Sequence, residues 1–95
     1  MYRSIYTKQA AKGIKNLKSC GLDKKAKGLI EIMKKNPFQN PPPYEKLVGN
    51  LQGYYSRRIN IQHRIVFQII EEPNTYEDID YEGYVKIIRM WAHYE

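Results

Sequence analysis

Two short stretches carry the residue types that handle phosphate. The first is Gly53-Tyr54-Tyr55-Ser56-Arg57-Arg58-Ile59; three residues later comes His63-Arg64-Ile65-Val66-Phe67. A guanidinium presents a planar fork of donors that matches phosphate oxygens, and an aromatic face stacks on a nucleobase. A proton-moving group stands in a third place, His93 within Trp91-Ala92-His93-Tyr94-Glu95. RNA can be cut with such parts and no metal, because its 2′-hydroxyl is an internal nucleophile. The reaction needs a base for that hydroxyl, an acid for the departing 5′-oxygen and cations around the crowded phosphate. Glu45, the one acid between Glu31 and Glu71, is the candidate base. His93, an imidazole of the type that titrates near neutrality, is the candidate acid. Arg58 and Arg64 are the candidate phosphate clamps, with Arg57 and Tyr55 as further substrate contacts. Arg57 and Arg58 are neighbours in a strand and point to opposite faces, so at most one joins Arg64 on a given surface.

The elements that must position these groups follow from periodicity. Tyr2–Tyr6 reads as a first strand. Thr7 caps a helix with the stripe Ala10, Ile14, Leu17 and Cys20, and Gly21 stops it in the left-handed conformation with Leu22 folding back. Cys20 reads as a small buried apolar group. Asp23 is read as the cap of a second helix, striped by Ala26, Leu29, Ile30 and Met33, with Glu31 and Lys35 spaced to pair. Asn36-Pro37 ends it. Pro41-Pro42-Pro43 reads as a stiff extended connector that delivers Tyr44-Glu45-Lys46-Leu47 to a fixed place. Tyr54–Ile59 and His63–Ile70 form a hairpin turned at Asn60-Ile61-Gln62, and His63 sits where it can bond the turn backbone. Residues 71–84 make an extended hairpin tip, and Tyr84–Tyr94 is the last strand. The expected fold is α+β in two layers: two N-terminal helices packed on one face of a small antiparallel β-sheet, with residues 1–95 as one domain.

Charge narrows the partners. Sixteen Lys and Arg against ten Asp and Glu give a formal charge of +6. Six of those ten acids lie in residues 71–84, which hold no lysine or arginine, so the remaining surface attracts polyanions. One cysteine excludes an intramolecular disulfide framework and fits a reducing cytoplasm. One cysteine and two histidines are too few for a zinc site of ordinary kind, and no cofactor is called for. No apolar run is long enough for a membrane span, and residues 1–7 lack the apolar core of a signal peptide.

The string from Gly53 to Ile59 with His63 to Phe67 resembles the signature of the Txe/YoeB toxins, in the RelE-like superfamily of bacterial toxin–antitoxin modules. Asn36-Pro37-Phe38, Glu45 before Leu47, Asn50-Leu51 and His93-Tyr94 extend the resemblance over a third to a half of the chain. The resemblance implies a RelE-like fold and a ribosome-dependent, metal-independent endoribonuclease that cleaves mRNA and stops translation. It implies Glu45 as base, His93 as acid, Arg64 as phosphate stabiliser with Arg58 in support, and Tyr94 as a positioner of substrate. Expected products are a 2′,3′-cyclic phosphate and a 5′-hydroxyl. Expected partners are a YefM-like antitoxin, the ribosome and its mRNA, operator DNA only through the toxin–antitoxin complex, and a second copy of the toxin. The chain departs from the pattern at Val48-Gly49, where many members carry Lys-His; Lys46 is the candidate replacement cation. Glu95 places a carboxylate beside His93, which favours the charged imidazole, and the acidic hairpin is longer than usual. Two alternatives stand beside this reading: a basic module that occupies RNA or ribosome without cutting, and a gyrase-poisoning relative on the same scaffold.

Overall fold

A computed structural model describes residues 1–49 and 53–90. The chain runs β1 (Tyr2–Tyr6), α1 (Lys8–Ser19), α2 (Asp23–Lys35), β2 (Glu45–Lys46), β3 (Tyr54–Arg58), β4 (Arg64–Ile70), β5 (Asn74–Tyr76), β6 (Ile79–Tyr81) and β7 (Gly83–Arg89). Five strands make one sheet in the order β1-β7-β4-β3-β2, and β5 with β6 forms a separate two-stranded ribbon.

Each helix begins and ends for a local reason. The Thr7 hydroxyl accepts the Ala10 amide at 3.0 Å, which caps α1; it also donates to the Ile88 carbonyl at 2.7 Å, tying the helix start to the end of β7. At the other end Gly21 takes φ 75°. Its amide donates to Lys18 and that of Leu22 to Leu17, the pair of bonds that closes a helix through a left-handed residue. The buried stripe of α1 is Ala10, Gly13 and Leu17. Cys20 is exposed, contrary to expectation: the helix stops at Ser19, so Cys20 leaves the stripe. Asp23 is the first helical residue rather than the cap, which is Leu22 without a side-chain bond; a carboxylate in the first turn still favours the helix dipole. Glu31 pairs with Lys34 at 3.5 Å and not with Lys35.

The buried stripe of α2, Ala26, Leu29, Ile30 and Met33, meets Ile65 and Phe67 of β4 and Val85 and Ile87 of β7, with Leu17 of α1 beside them. Each fully buried aliphatic side chain of this kind stabilises by about 1.5–3 kcal/mol. Both helices cover this one face. The sheet is antiparallel except at one edge, where β1 lies parallel to β7, with Tyr2 opposite Gly83 and Tyr6 opposite Ile87. Alternation marks β1 as a strand but carries no information about its partner or direction. A bulge interrupts β4 against β7: Val66 faces Arg89 while Phe67 faces Ile87, which leaves Ile88 as the extra residue. Buried positions therefore run Val85, Ile87, then Met90. Among the described residues, no helix is long and apolar enough to cross a membrane.

Candidate active site

The sheet face turned away from the helices carries the reactive groups, and strand register sets their arrangement. Glu45 of β2 lies opposite Ser56 of β3, Ser56 opposite Val66 of β4, and Val66 opposite Arg89 of β7. Directly opposed residues share a face, so these four form one row across the sheet. Two residues along β3, Arg58 lies opposite Arg64, which puts a second, doubly cationic row on the same face. The Arg64 guanidinium donates to Glu45 Oε2 at 3.4 Å and to Ser56 Oγ at 3.3 Å. Arg64 is partly covered while the Glu45 side chain is 63% exposed, so the pair adds only about 0–1 kcal/mol to stability. Its consequence is placement. Carboxylate, hydroxyl and two guanidinium groups line one cavity of about 220 Å³, walled on the other side by Pro43 and Tyr44. The arrangement offers a proton acceptor within reach of a site for an anion.

Glu45 is held there by a residue on the opposite face. Arg57 is 1% exposed. Its guanidinium donates to the carbonyls of Pro42 (2.6 Å), Pro37 (2.9 Å) and Gln39 (2.9 Å). Three carbonyls converging on one side chain mean that the segment from Pro37 to Pro43 wraps around it, instead of running extended as its prolines suggest. The expectation that Arg57 contacts substrate is therefore corrected: its two terminal nitrogens are bonded to main chain and its charge is enclosed. Burial lowers the guanidinium's pKa from its ordinary value, Tyr44 offsetting part of this. The guanidinium also lies 5.1 Å from the Tyr44 ring centre. Phe38, Tyr44, Tyr55 and Phe67 pack with ring centres 5.8–6.1 Å apart, and the next residue after Tyr44 is Glu45.

Two further expectations are corrected by the same alternation. Tyr55 lies opposite Phe67 on the helix side and its ring stacks there, so of this cluster Tyr44, and not Tyr55, lines the cavity. Lys46 is opposite Tyr55, hence on the face away from Glu45, and cannot stand in for a missing cation beside it. Val48 is exposed and Gly49 takes φ 71°. His63 is buried under the turn, its carbonyl accepting the Ile59 and Asn60 amides and its amide donating to Asn60 Oδ1. His93 and Tyr94 lie outside the described residues, as do Asn50 and Leu51. Ser56 and Arg89 were not singled out from sequence. Counting two back from Arg58 finds Ser56. Counting back from His93 through Trp91 puts Arg89 on the same set, but counting on from the buried Val85 and Ile87 puts it with the core, and the bulge at Ile88 decides for the reactive face. Among the described residues no cluster of three His, Cys, Asp or Glu could hold a metal.

Residues 15–94 match the family of YoeB-like toxins of bacterial type II toxin–antitoxin systems. Toxin YoeB of Synechocystis sp. is 44% identical over 43 residues, 45% of this chain and 50% of the relative. Toxin YoeB of Escherichia coli K12 is 37% identical over 49 residues, 52% of this chain and 58% of the relative. The chain thus spans about half the length of the curated relatives it matches. Whole-chain likeness is seen among solved structures. The Staphylococcus aureus YoeB dimer is 30% identical with a TM-score of 0.71, covering 98% of both chains. YoeB in the heterotetrameric YoeB–YefM complex of the same organism is 28% identical with a TM-score of 0.71, covering 99% of both. The chain belongs to the YoeB-like toxins of bacterial type II toxin–antitoxin systems.

Proposed function

We propose that this toxin is a ribosome-dependent endoribonuclease that cuts mRNA without a metal and so inhibits translation. The observation that carries the reading is the Glu45 carboxylate 3.4 Å from the Arg64 guanidinium, on the face that also bears Arg58 and Ser56. Glu45 accepts the proton of a 2′-hydroxyl as that oxygen bonds to the adjacent phosphorus. The bond from phosphorus to the 5′-oxygen breaks, and His93 donates its proton to the leaving oxygen. The products are a 2′,3′-cyclic phosphate and a 5′-hydroxyl. Arg64 and Arg58 hold the non-bridging oxygens, where negative charge grows in the transition state. Ser56 fixes the direction of Arg64, and Tyr94 positions the substrate. Kinship with a YoeB found in complex with YefM, and with a YoeB dimer, supports a YefM-like antitoxin and a second copy as partners. Operator DNA is then met through the toxin–antitoxin complex, and the cytoplasm is where translating ribosomes supply the substrate.

The test is a translating extract in which 5′ ends of messages are mapped. Wild-type protein is expected to generate new ends within open reading frames. Glu45→Gln, Arg64→Ala and His93→Gln, each verified as folded, are each expected to slow their appearance by about 10²–10⁴-fold. Arrested translation with intact messages would assign the protein to the non-cutting class instead.

A further inference from the structure

A second, broader cavity of about 590 Å³ opens beside the first, lined by Lys25 and Leu29 of α2, Pro42 and Pro43, and Arg58 through Ile61. Arg58 and Pro43 line both cavities. The volume lies in the range of small-molecule sites, and the lining is mostly apolar with a few polar groups, as such sites require. One of those groups has a defined hydrogen-bonding sense. Asn60 Oδ1 accepts the amides of Gln62 (2.9 Å) and His63 (2.7 Å). Its oxygen is spent on the turn, which leaves the side-chain NH2 as a donor. Arg58, at the boundary, is exposed and free of the carbonyl contacts that hold Arg57.

We propose that this second cavity is a nucleoside subsite, taking the base of the nucleotide next to the scissile phosphate and selecting among bases through Asn60. The inference rests on the cleavage reading above and adds where a neighbouring base goes. A phosphodiester held by Arg58 in the first cavity has its attached nucleoside within reach of the second. The flat apolar faces of a base suit Pro42 and Ile61 with the edge of Leu29, over a floor formed by the buried Ile59, as apolar side chains contact unstacked bases elsewhere. The Asn60 amide donates to an acceptor on the base edge, and Lys25 at the rim attracts the next phosphate along the strand.

Two variants test it. Asn60→Asp keeps the oxygen that closes the turn and replaces the donor by an acceptor. Ile61→Asp changes a residue that is 95% exposed, so folding is spared. The readout is the base frequency at the two positions flanking each cut, mapped in a translating extract. Wild-type protein is expected to show a bias at one of these positions. Asn60→Asp is expected to change the preferred base there by about fivefold, the worth of one hydrogen bond. Ile61→Asp is expected to slow cutting and flatten the bias. Cutting by both variants with the wild-type profile overturns the proposal. So does an unchanged profile with weakened antitoxin capture, which would make the cavity a peptide groove. A wild-type protein that cuts nothing defeats the cleavage reading itself, a result distinguishable from either.

Discussion

A guanidinium can hold carbonyl oxygens or phosphate oxygens, and two successive arginines of β3 divide along that line. Arg57 gives three bonds to the segment that delivers Glu45, whereas Arg58 is exposed at the cavity. Their substitutions should therefore fail differently. Arg57→Lys loses the planar fork and leaves buried carbonyls short of donors; it should cost about 2–3 kcal/mol of stability, read as a lowered denaturant midpoint. Arg58→Ala should leave that midpoint within about 0.5 kcal/mol of wild type while lowering cleavage. Equal stabilities for the two variants would contradict the division. Sequence alone established that these neighbours point apart. It did not establish which one turns inward, because that depends on how a proline-rich segment folds around a side chain, a contact with no periodic signature.

At the scale of elements, the hairpin of β3 and β4 was legible because its alternation and turn residues agree, and α1 because its cap and glycine stop agree. The parallel seat of β1 was not, since a strand's pattern does not name its partner. Nor was the bulge that turns Arg89 onto the reactive face. The ribbon of β5 and β6 turns through Glu77 and Asp78, at φ 51° and 64°, a conformation that favours Asn-Gly. Replacing the pair by Asn-Gly should stabilise the ribbon by about 1 kcal/mol, seen as slower hydrogen exchange at Tyr76 and Ile79, the pair that flanks the turn; unchanged exchange would contradict a strained turn. At the sheet edge, Tyr2 donates to Glu71 at 3.4 Å. Burial, then the charges of Glu71 and Glu82, raise its phenol above the ordinary 10.0. A raised folded value for an acid means that its contribution is present below pH 10 and is lost as pH rises through the folded value. Tyr2→Phe should accordingly make the melting temperature fall less steeply above pH 10 than in wild type.

Over the whole molecule, charge is sorted along the sheet. The cationic row stands at the Arg64 end of β4, and the acidic ribbon follows the Ile70 end, roughly 20 Å away at strand rise. The ribbon thus leaves the +6 chain free to present a positive face where the cavity lies. Binding to message-bearing ribosomes should weaken steeply between 50 and 200 mM salt, as phosphate contacts do, while the single-turnover rate of bound complex changes little. A salt-independent affinity would argue that arginines do not meet phosphate.

The claim on which the rest depends is that Glu45 takes a proton beside Arg64. The direct measurement is the single-turnover cleavage rate of Glu45→Gln on saturating ribosome-bound message, because the amide keeps the shape of the carboxylate and removes its basicity. The expected result is a rate lower by about 10²–10⁴-fold with unchanged melting temperature. A folded Glu45→Gln protein that cuts within twofold of the wild-type rate would contradict the account.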